Sequence, residues 1–426
     1  MNDTTTLTES FGARILRMAD SLARHSDQAD GLTVSYLREA HRAVARDLAD
    51  WMRDAGMSVH VDALGSVVGR YEGATPDAPV LLTGSHFDTV RNGGRFDGRL
   101  GILLPIAVVA DLAAHGERLG CAIEIVGFAE EEGLRYRSSF LASSALVGAF
   151  DLSVLDRVDE DGISMREAMR AAGLPADVAA IAAIARDPSR LAGFIEVHIE
   201  QGPVLLDRGL PIGVVTSIAS CARLSAVVTG SAGHAGTTPM TMRRDAGAAA
   251  AEMILAVEQR CSAGPGLVGT VGMLTVPGGS ANVIPGRCEF SLDIRGPDDA
   301  SRDAAVADVL VACRQIAARR GVGFEADTTM RVPSAQCSPR LMAMLERSVA
   351  AVGAEVFRLS SGAGHDAMML ARATEICMLF VRCGNGGVSH NPLETMTAED
   401  AELAARAFME FARQVGHDAS GGRLGQ

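Results

Sequence analysis

The chain has 426 residues, 48 % of them hydrophobic and only 4 % aromatic, so Ala, Val, Leu and Gly must fill the cores of two or three domains. A formal net charge of −13 argues against a nucleic-acid partner and means that an anionic ligand would need a local positive site. The eight cysteines form no Cys-x-x-Cys pair and sit in apolar contexts such as Glu375-Ile376-Cys377-Met378-Leu379, which predicts reduced, buried thiols in a cytoplasmic protein. The start, Met1 to Thr6, has neither the basic residues nor the apolar stretch of a signal peptide. The longest apolar run, Ile102 to Ala114, is interrupted by Pro105 and Asp111, so no membrane partner is expected.

Residues 10–55 read as helix, with Leu16, Met18 and Leu22 and later Leu48, Trp51 and Met52 at helical spacing. From residue 58 to 71 the pattern turns to short strands. Strand, helix and strand then alternate over 80–84, 100–116 and 122–128, the rhythm of an α/β domain. Residues 150–192 are Ala-rich and read as mostly helical, followed by a strand over 194–198. Near Gly213 the order becomes strand 221–230, helix 244–261, strands 267–276 and 288–295, helix 300–320 and strand 322–326. That βαββαβ order is the split βαβ unit of a ferredoxin-like domain. The α/β pattern resumes after it, with a helix over 340–352, a strand over 376–381 and a helix over 398–415, so the unit reads as an insertion. The expected division is 1–212 with 328–426, a mixed sheet flanked by helices, and 213–327 inserted. The tail from Ser420 reads as frayed.

Polar groups stand at four strand ends. The first run is Gly84-Ser85-His86-Phe87-Asp88-Thr89-Val90, continued by Gly93-Gly94-Arg95-Phe96-Asp97-Gly98. A short strand ending in His and a glycine-rich loop ending in Asp can place two metal ligands. The second run ends in Glu130-Glu131-Glu132-Gly133, the third is Phe194 to Gly202 with His198 and Gln201, and the fourth leads to Ser389-His390-Asn391-Pro392. A lone histidine here is ordinarily a hydrogen-bonded residue, and three acids in a row are ordinarily a solvated loop. Acids that follow a nearly uncharged strand instead need cations beside them. In an open α/β sheet the carboxyl ends of the strands converge on one crevice, which makes the joint reading a two-metal hydrolase.

These runs, together with Gly233-His234-Ala235-Gly236-Thr237-Thr238-Pro239-Met240, Asn282-Val283-Ile284-Pro285, Leu292-Asp293-Ile294-Arg295 and Ser361-Gly362-Ala363-Gly364-His365-Asp366-Ala367, resemble one family. It is the amidohydrolase branch of the zinc aminoacylase and carboxypeptidase superfamily, with allantoate amidohydrolase, N-carbamoyl-L-amino-acid hydrolase and β-ureidopropionase. The resemblance extends from about Ser10 to Arg413. It implies that Asp97 bridges two divalent ions, that His86 and His198 complete one metal site and Glu132 and His390 the other, and that Glu131 is the general base. Three imidazoles and two carboxylates without thiolate suit Zn²⁺ or Mn²⁺, two per subunit. Leu134 and Tyr136 depart from the Ser and Phe that bacterial relatives often carry, which touches pocket shape rather than mechanism.

The alternation of Phe290, Leu292 and Ile294 with Ser291, Asp293 and Arg295 puts Arg295 on the polar face of its strand, where its fork could take a carboxylate. The resemblance makes His234, Asn282 and Arg295 substrate contacts, with His234 a donor to a developing oxyanion. Gln201 and His365 are further expected pocket residues, with Asp366 beside His365. The resemblance also implies a homodimer and an inserted domain that serves as lid and dimerisation surface. The expected reaction is hydrolysis of a ureido C–N bond in a small anion, allantoate first and an N-carbamoyl-L-amino acid second. A peptidase or aminoacylase comes third. A non-catalytic metal-binding paralogue is disfavoured because every ligand position and Glu131 are filled.

Overall fold

The strands that carry the four polar ends lie side by side. In the computed structural model, which describes residues 9–421, strands Ala122–Phe128, Val80–His86, Leu191–Ile199 and Ile376–Val381 are neighbours in that order and all parallel. They are buried almost throughout. Covered on both faces, such strands read as apolar runs rather than as alternation. Antiparallel strands extend the sheet on both sides, Val67–Tyr71 and Ser58–Val61 at one margin and Ile212–Ile218 at the other. Helix Leu100–Ala114 packs beneath the parallel strands and runs through Pro105 unbroken, so the apolar stretch seen in sequence is a core helix. Among the described residues no helix is long and apolar enough to cross a membrane. The start from Met1 to Thr6 lies outside the described residues, as does the tail beyond Gly421.

The chain divides into two compact units. The first holds residues up to Thr216, Gln336–Leu359 and the chain from His365; the second is Ser217–Ala335 with Ser360–Gly364. The breaks fall after Thr216 and Ala335 rather than after residues 212 and 327. Strand Ile212–Ile218 still pairs with Ile376–Val381, and strand Gly323–Val332 stays in the second sheet well beyond residue 326.

In the second unit, Ser220–Thr229 and Arg287–Gly296 pair antiparallel at the centre, flanked by Gly323–Val332 on one side and by Val268–Thr270 and Leu274–Thr275 on the other. Helices Ala246–Ser262 and Asp299–Arg320 cover one face, and their apolar side chains meet Leu224, Ala226, Val228, Phe290, Leu292 and Ile294 in one core. In chain order these elements follow βαββαβ, with the second strand in two pieces and a separate two-residue ribbon, Gly233–His234 with Val283–Ile284, added.

Two helical expectations were too long. Residues 10–55 form helices Phe11–Leu22 and Glu39–Asp54, separated by a loop in which the Ser26 and Asp27 side chains take backbone groups that a helix would need. Residues 150–192 form only short helical pieces, among them Met165–Ala171 and Val178–Ala182, with left-handed turns at Gly162 and Gly173 between segments. The expected strand over 267–276 is likewise split in two.

Candidate metal centre

The parallel strands set the geometry. His86 is the last residue of its strand, His198 is the penultimate residue of the next, and the acidic triplet and His390 follow the other two. Asp97 lies among them. Its Oδ1 is 3.4 Å from His198 Nε2 and 4.0 Å from His86 Nε2, while its Oδ2 is 3.2 Å from His390 Nε2. Glu132 Oε1 is 3.4 Å from the same His390 nitrogen. One carboxylate therefore faces two donor sets, His86 with His198 and Glu132 with His390, and the ligand atoms of each set with Asp97 lie within 4.8 Å of one another. His86, Asp97 and His198 are buried, whereas the His390 side chain is 49 % exposed, so the arrangement opens on the His390 side.

The imidazoles are set for ligation. Nδ1 of His86 lies 3.0 Å from the Asp88 carbonyl and Nδ1 of His198 lies 2.8 Å from the Ile199 carbonyl. A carbonyl only accepts, so Nδ1 carries the proton in both rings; Nε2 of each faces Asp97, and in His198 it also accepts the Gly98 N–H at 3.1 Å. Gly98, in the left-handed region at φ 66°, lets the loop turn directly under His86; a Cβ there would come within 2.5 Å of the ring. This donor set, imidazole nitrogen and carboxylate oxygen with no thiolate, fits Zn²⁺ or Mn²⁺.

Burial pushes the His86 imidazole down to about 4, which keeps it neutral. Burial, then Asp97, pushes Glu132 up to about 8, and the hydrogen bond that His390 donates to Asp97 raises His390 to about 9. Burial and then Glu132 also hold the Glu131 carboxyl well above the usual carboxylate range. The metal-free site therefore holds protons at pH 7 that a divalent ion must displace. Binding should release protons, and affinity should rise between pH 6 and 8 by about tenfold per pH unit for each proton released. Calorimetric titration of Zn²⁺ or Mn²⁺ in buffers of different ionisation enthalpy checks this. A heat independent of buffer would contradict it.

Two contributors, Asp88 and Glu196, were not singled out in the sequence, whereas Gln201, His365 and Asp366 were expected near the pocket. Asp88 is fully buried and accepts the backbone N–H groups of Glu131 and Glu132 at 3.1 Å each, which orients the acidic turn. Its spacing in His86-Phe87-Asp88 was the available signal. Glu196 accepts from Ser85 Oγ at 2.7 Å and from Ala367 N at 2.9 Å, so it ties two strand ends together behind His198. Gln201, in the left-handed region at φ 56°, donates from Nε2 to Asp97 Oδ1 at 3.0 Å; it contacts the central carboxylate directly. His365 is 2 % exposed and packs edge-on against His198, 4.6 Å between ring centres, with Asp366 fully buried beside it.

The remaining expected contacts belong to the second unit. His234 lies on a two-residue strand paired with Val283–Ile284, its Nδ1 accepting from Gly236 N at 3.0 Å. Asn282 is exposed next to that ribbon, its carbonyl accepting from Ala235 N at 2.9 Å. Arg295 is on the polar sheet face as expected, but its fork is engaged: Nε and Nη2 donate to Asp293 at 2.9 and 3.3 Å, and Nη1 donates to the Gly362 carbonyl at 2.7 Å. Arg223, directly across the sheet, donates at 2.8 Å to Asp293 Oδ2, which it shares with Arg295 Nη2. Two guanidinium groups on one carboxylate leave that cluster net positive, in a groove of about 1070 Å³ whose lining also includes the acid Glu289.

The match to known proteins follows the same lines. The model of peptidase family M20/M25/M40 matches residues 82–414. The chain belongs to that family. It is 40 % identical over 405 residues to the N-carbamoyl-L-amino acid amidohydrolase of Geobacillus stearothermophilus, covering 95 % of this chain and 98 % of the relative. It is 38 % identical over 420 residues to the allantoate deiminase of Arabidopsis thaliana, covering 92 % of this chain and 80 % of the relative. Among solved structures, a hydantoinase/carbamoylase family amidase from Burkholderia ambifaria superposes with a TM-score of 0.88 at 35 % identity, over 96 % of this chain and 98 % of the other. Within its family the chain thus stands among amidohydrolases, enzymes that cut C–N bonds.

Proposed function

We propose that this protein hydrolyses a ureido C–N bond of a small carboxylate-bearing substrate, allantoate in the first instance, with two divalent ions held by His86, Asp97, His198, Glu132 and His390. The observation that carries the reading is the single Asp97 carboxylate standing between a His–His and a Glu–His donor pair. Zn²⁺ or Mn²⁺ bound there would supply water of lowered pKa and polarise the ureido carbonyl. Glu131, next in sequence to a ligand and of raised proton affinity, takes the proton from water and delivers it to the departing nitrogen. Asp88 holds Glu131 in place through its backbone N–H, and His234 supplies a donor for the oxyanion. A second reading, an N-carbamoyl-L-amino acid as substrate, is favoured by the 40 % identity to an enzyme so named. Ammonia release from allantoate and from a set of N-carbamoyl-L-amino acids, each with added Mn²⁺ or Zn²⁺, decides between the two. Failure on every ureido acid would remove both. Function as a homodimer, with the second unit as lid and dimerisation surface, belongs to the same proposal, and light scattering of the metal-loaded protein tests the dimer.

We assign the substrate carboxylate to Arg295, which would exchange its bond to the Gly362 carbonyl for it, with Arg223 leaving the Asp293 group net positive and Asn282 and Gln201 as polar contacts. Arg295→Lys keeps the charge but loses the planar fork. Its kcat/KM should fall by roughly 2–3 kcal/mol, the range for charge-assisted hydrogen bonds. An amide analogue of the substrate should be poor with wild type and about equally poor with the variant. If the two losses simply add, Arg295 does not meet the carboxylate.

A further inference from the structure

Glu394 is almost completely buried, 1 % exposed, yet none of the reactions above uses it. Its Oε1 accepts the backbone N–H of Phe96 at 2.8 Å and of Asp97 at 3.2 Å. Its Oε2 accepts the hydroxyl of Ser389 at 2.8 Å, and Ser389 directly precedes His390. One side chain thus holds the loop of one candidate ligand and the loop of another, nearly 300 residues away in sequence. Gln201 closes the ring, donating to Asp97 Oδ1 and, at 3.4 Å, to Ser389 Oγ. The loop that Glu394 ties has room for it only because residue 94 is glycine: a Cβ there would run into the Glu394 carboxyl group. The backbone at Gly94 is not in the left-handed region, so a side chain at that position meets no conformational objection of its own.

We propose that Glu394 is a positioning residue, a latch that fixes the distance between Asp97 and His390 and so shapes the metal site they share. A carboxylate suits the task because each oxygen accepts only; it can take two N–H groups and a hydroxyl at once without a donor to misplace. His390 needs such a brace. It sits in the left-handed region at φ 54° and is half exposed, so the packing that locks His86 and His198 does not reach it. The inference rests on the metal reading of the site.

The test measures metal affinity of the full chain by competition with a chelator, with melting of the metal-free protein alongside. Wild type must bind the ion; if it does not, the metal reading itself fails and the latch is not at issue. Given binding, Glu394→Ala should weaken affinity about 10- to 100-fold, the range seen for groups that orient metal ligands. Gly94→Ala should weaken it similarly from the opposite side by displacing the carboxyl group. Glu394→Gln keeps the shape, since its oxygen can still accept from the loop and Ser389 can turn to accept from its amide, and should rescue most of the loss. The double variant Gly94→Ala/Glu394→Ala should be no weaker than Glu394→Ala alone. Should Glu394→Ala not fold, Gly94→Ala and Glu394→Gln carry the comparison. The latch is overturned if Gly94→Ala binds metal like wild type, if Glu394→Gln falls as far as Glu394→Ala, or if the two single losses add.

Discussion

Asp97→Ala should strip the protein of both divalent ions and abolish turnover. Each oxygen of Asp97 addresses a different donor set, Oδ1 toward His86 and His198 and Oδ2 toward His390. Removing it takes a ligand from both sets at once, and it removes the carboxylate that compensates the imidazoles in a site closed to water on one side. His86→Ala and His390→Ala each take a ligand from one set only, so they should retain more metal than Asp97→Ala. The expected loss of affinity for Asp97→Ala exceeds about 100-fold, because even partners behind a ligand cost 10- to 100-fold. Metal analysis after equilibration at fixed free Zn²⁺ or Mn²⁺ reads this directly, with circular dichroism to show that the variant is folded. Two ions per chain still held by Asp97→Ala would remove the shared-carboxylate assignment.

The parts of the site that could be read from sequence are those that follow a strand. His86, Glu132, His198 and His390 each follow or end an apolar run, and apolar runs mark buried parallel strands whose carboxyl ends meet. The second sheet was legible for a related reason: Phe290, Leu292 and Ile294 alternate strictly with polar residues, and the observed burial alternates with them. What was not legible depends on partners distant in the chain. Glu394 looks like an ordinary loop acid until the Asp97 backbone is seen to donate to it. The alternation puts Asp293 on the same face as Arg295, but it does not show that Arg223 on the neighbouring strand and the distant Gly362 carbonyl complete the cluster that engages the Arg295 fork. The helical expectation over 10–55 failed because local side-chain bonds from Ser26 and Asp27 competed with the helix, a contest that apolar spacing does not register.

Glu131→Gln should separate chemistry from metal binding. Glu131 is 8 % exposed, and burial with Glu132, Asp366 and Asp88 around it raises its proton affinity. That environment suits a group that must hold a proton between taking it from water and giving it to nitrogen. Glutamine keeps the size and the backbone bond to Asp88 but cannot accept the proton. The expected loss in kcat is at least about 10²-fold, the lower end of general-base contributions, with KM little changed. Metal content should stay at the wild-type level. The stability of the metal-free protein should respond to the same substitution. A folded carboxyl whose pKa is raised above its unfolded value stabilises the fold below the unfolded pKa, and this contribution is lost as pH rises through the folded value. Glutamine has no charge to acquire, so the melting temperature of metal-free Glu131→Gln should gain on that of wild type as pH rises above the unfolded carboxylate value. A variant that is folded and metal-loaded yet keeps near wild-type kcat would assign the proton transfer to another group. One that loses both metal and turnover would make Glu131 a ligand instead.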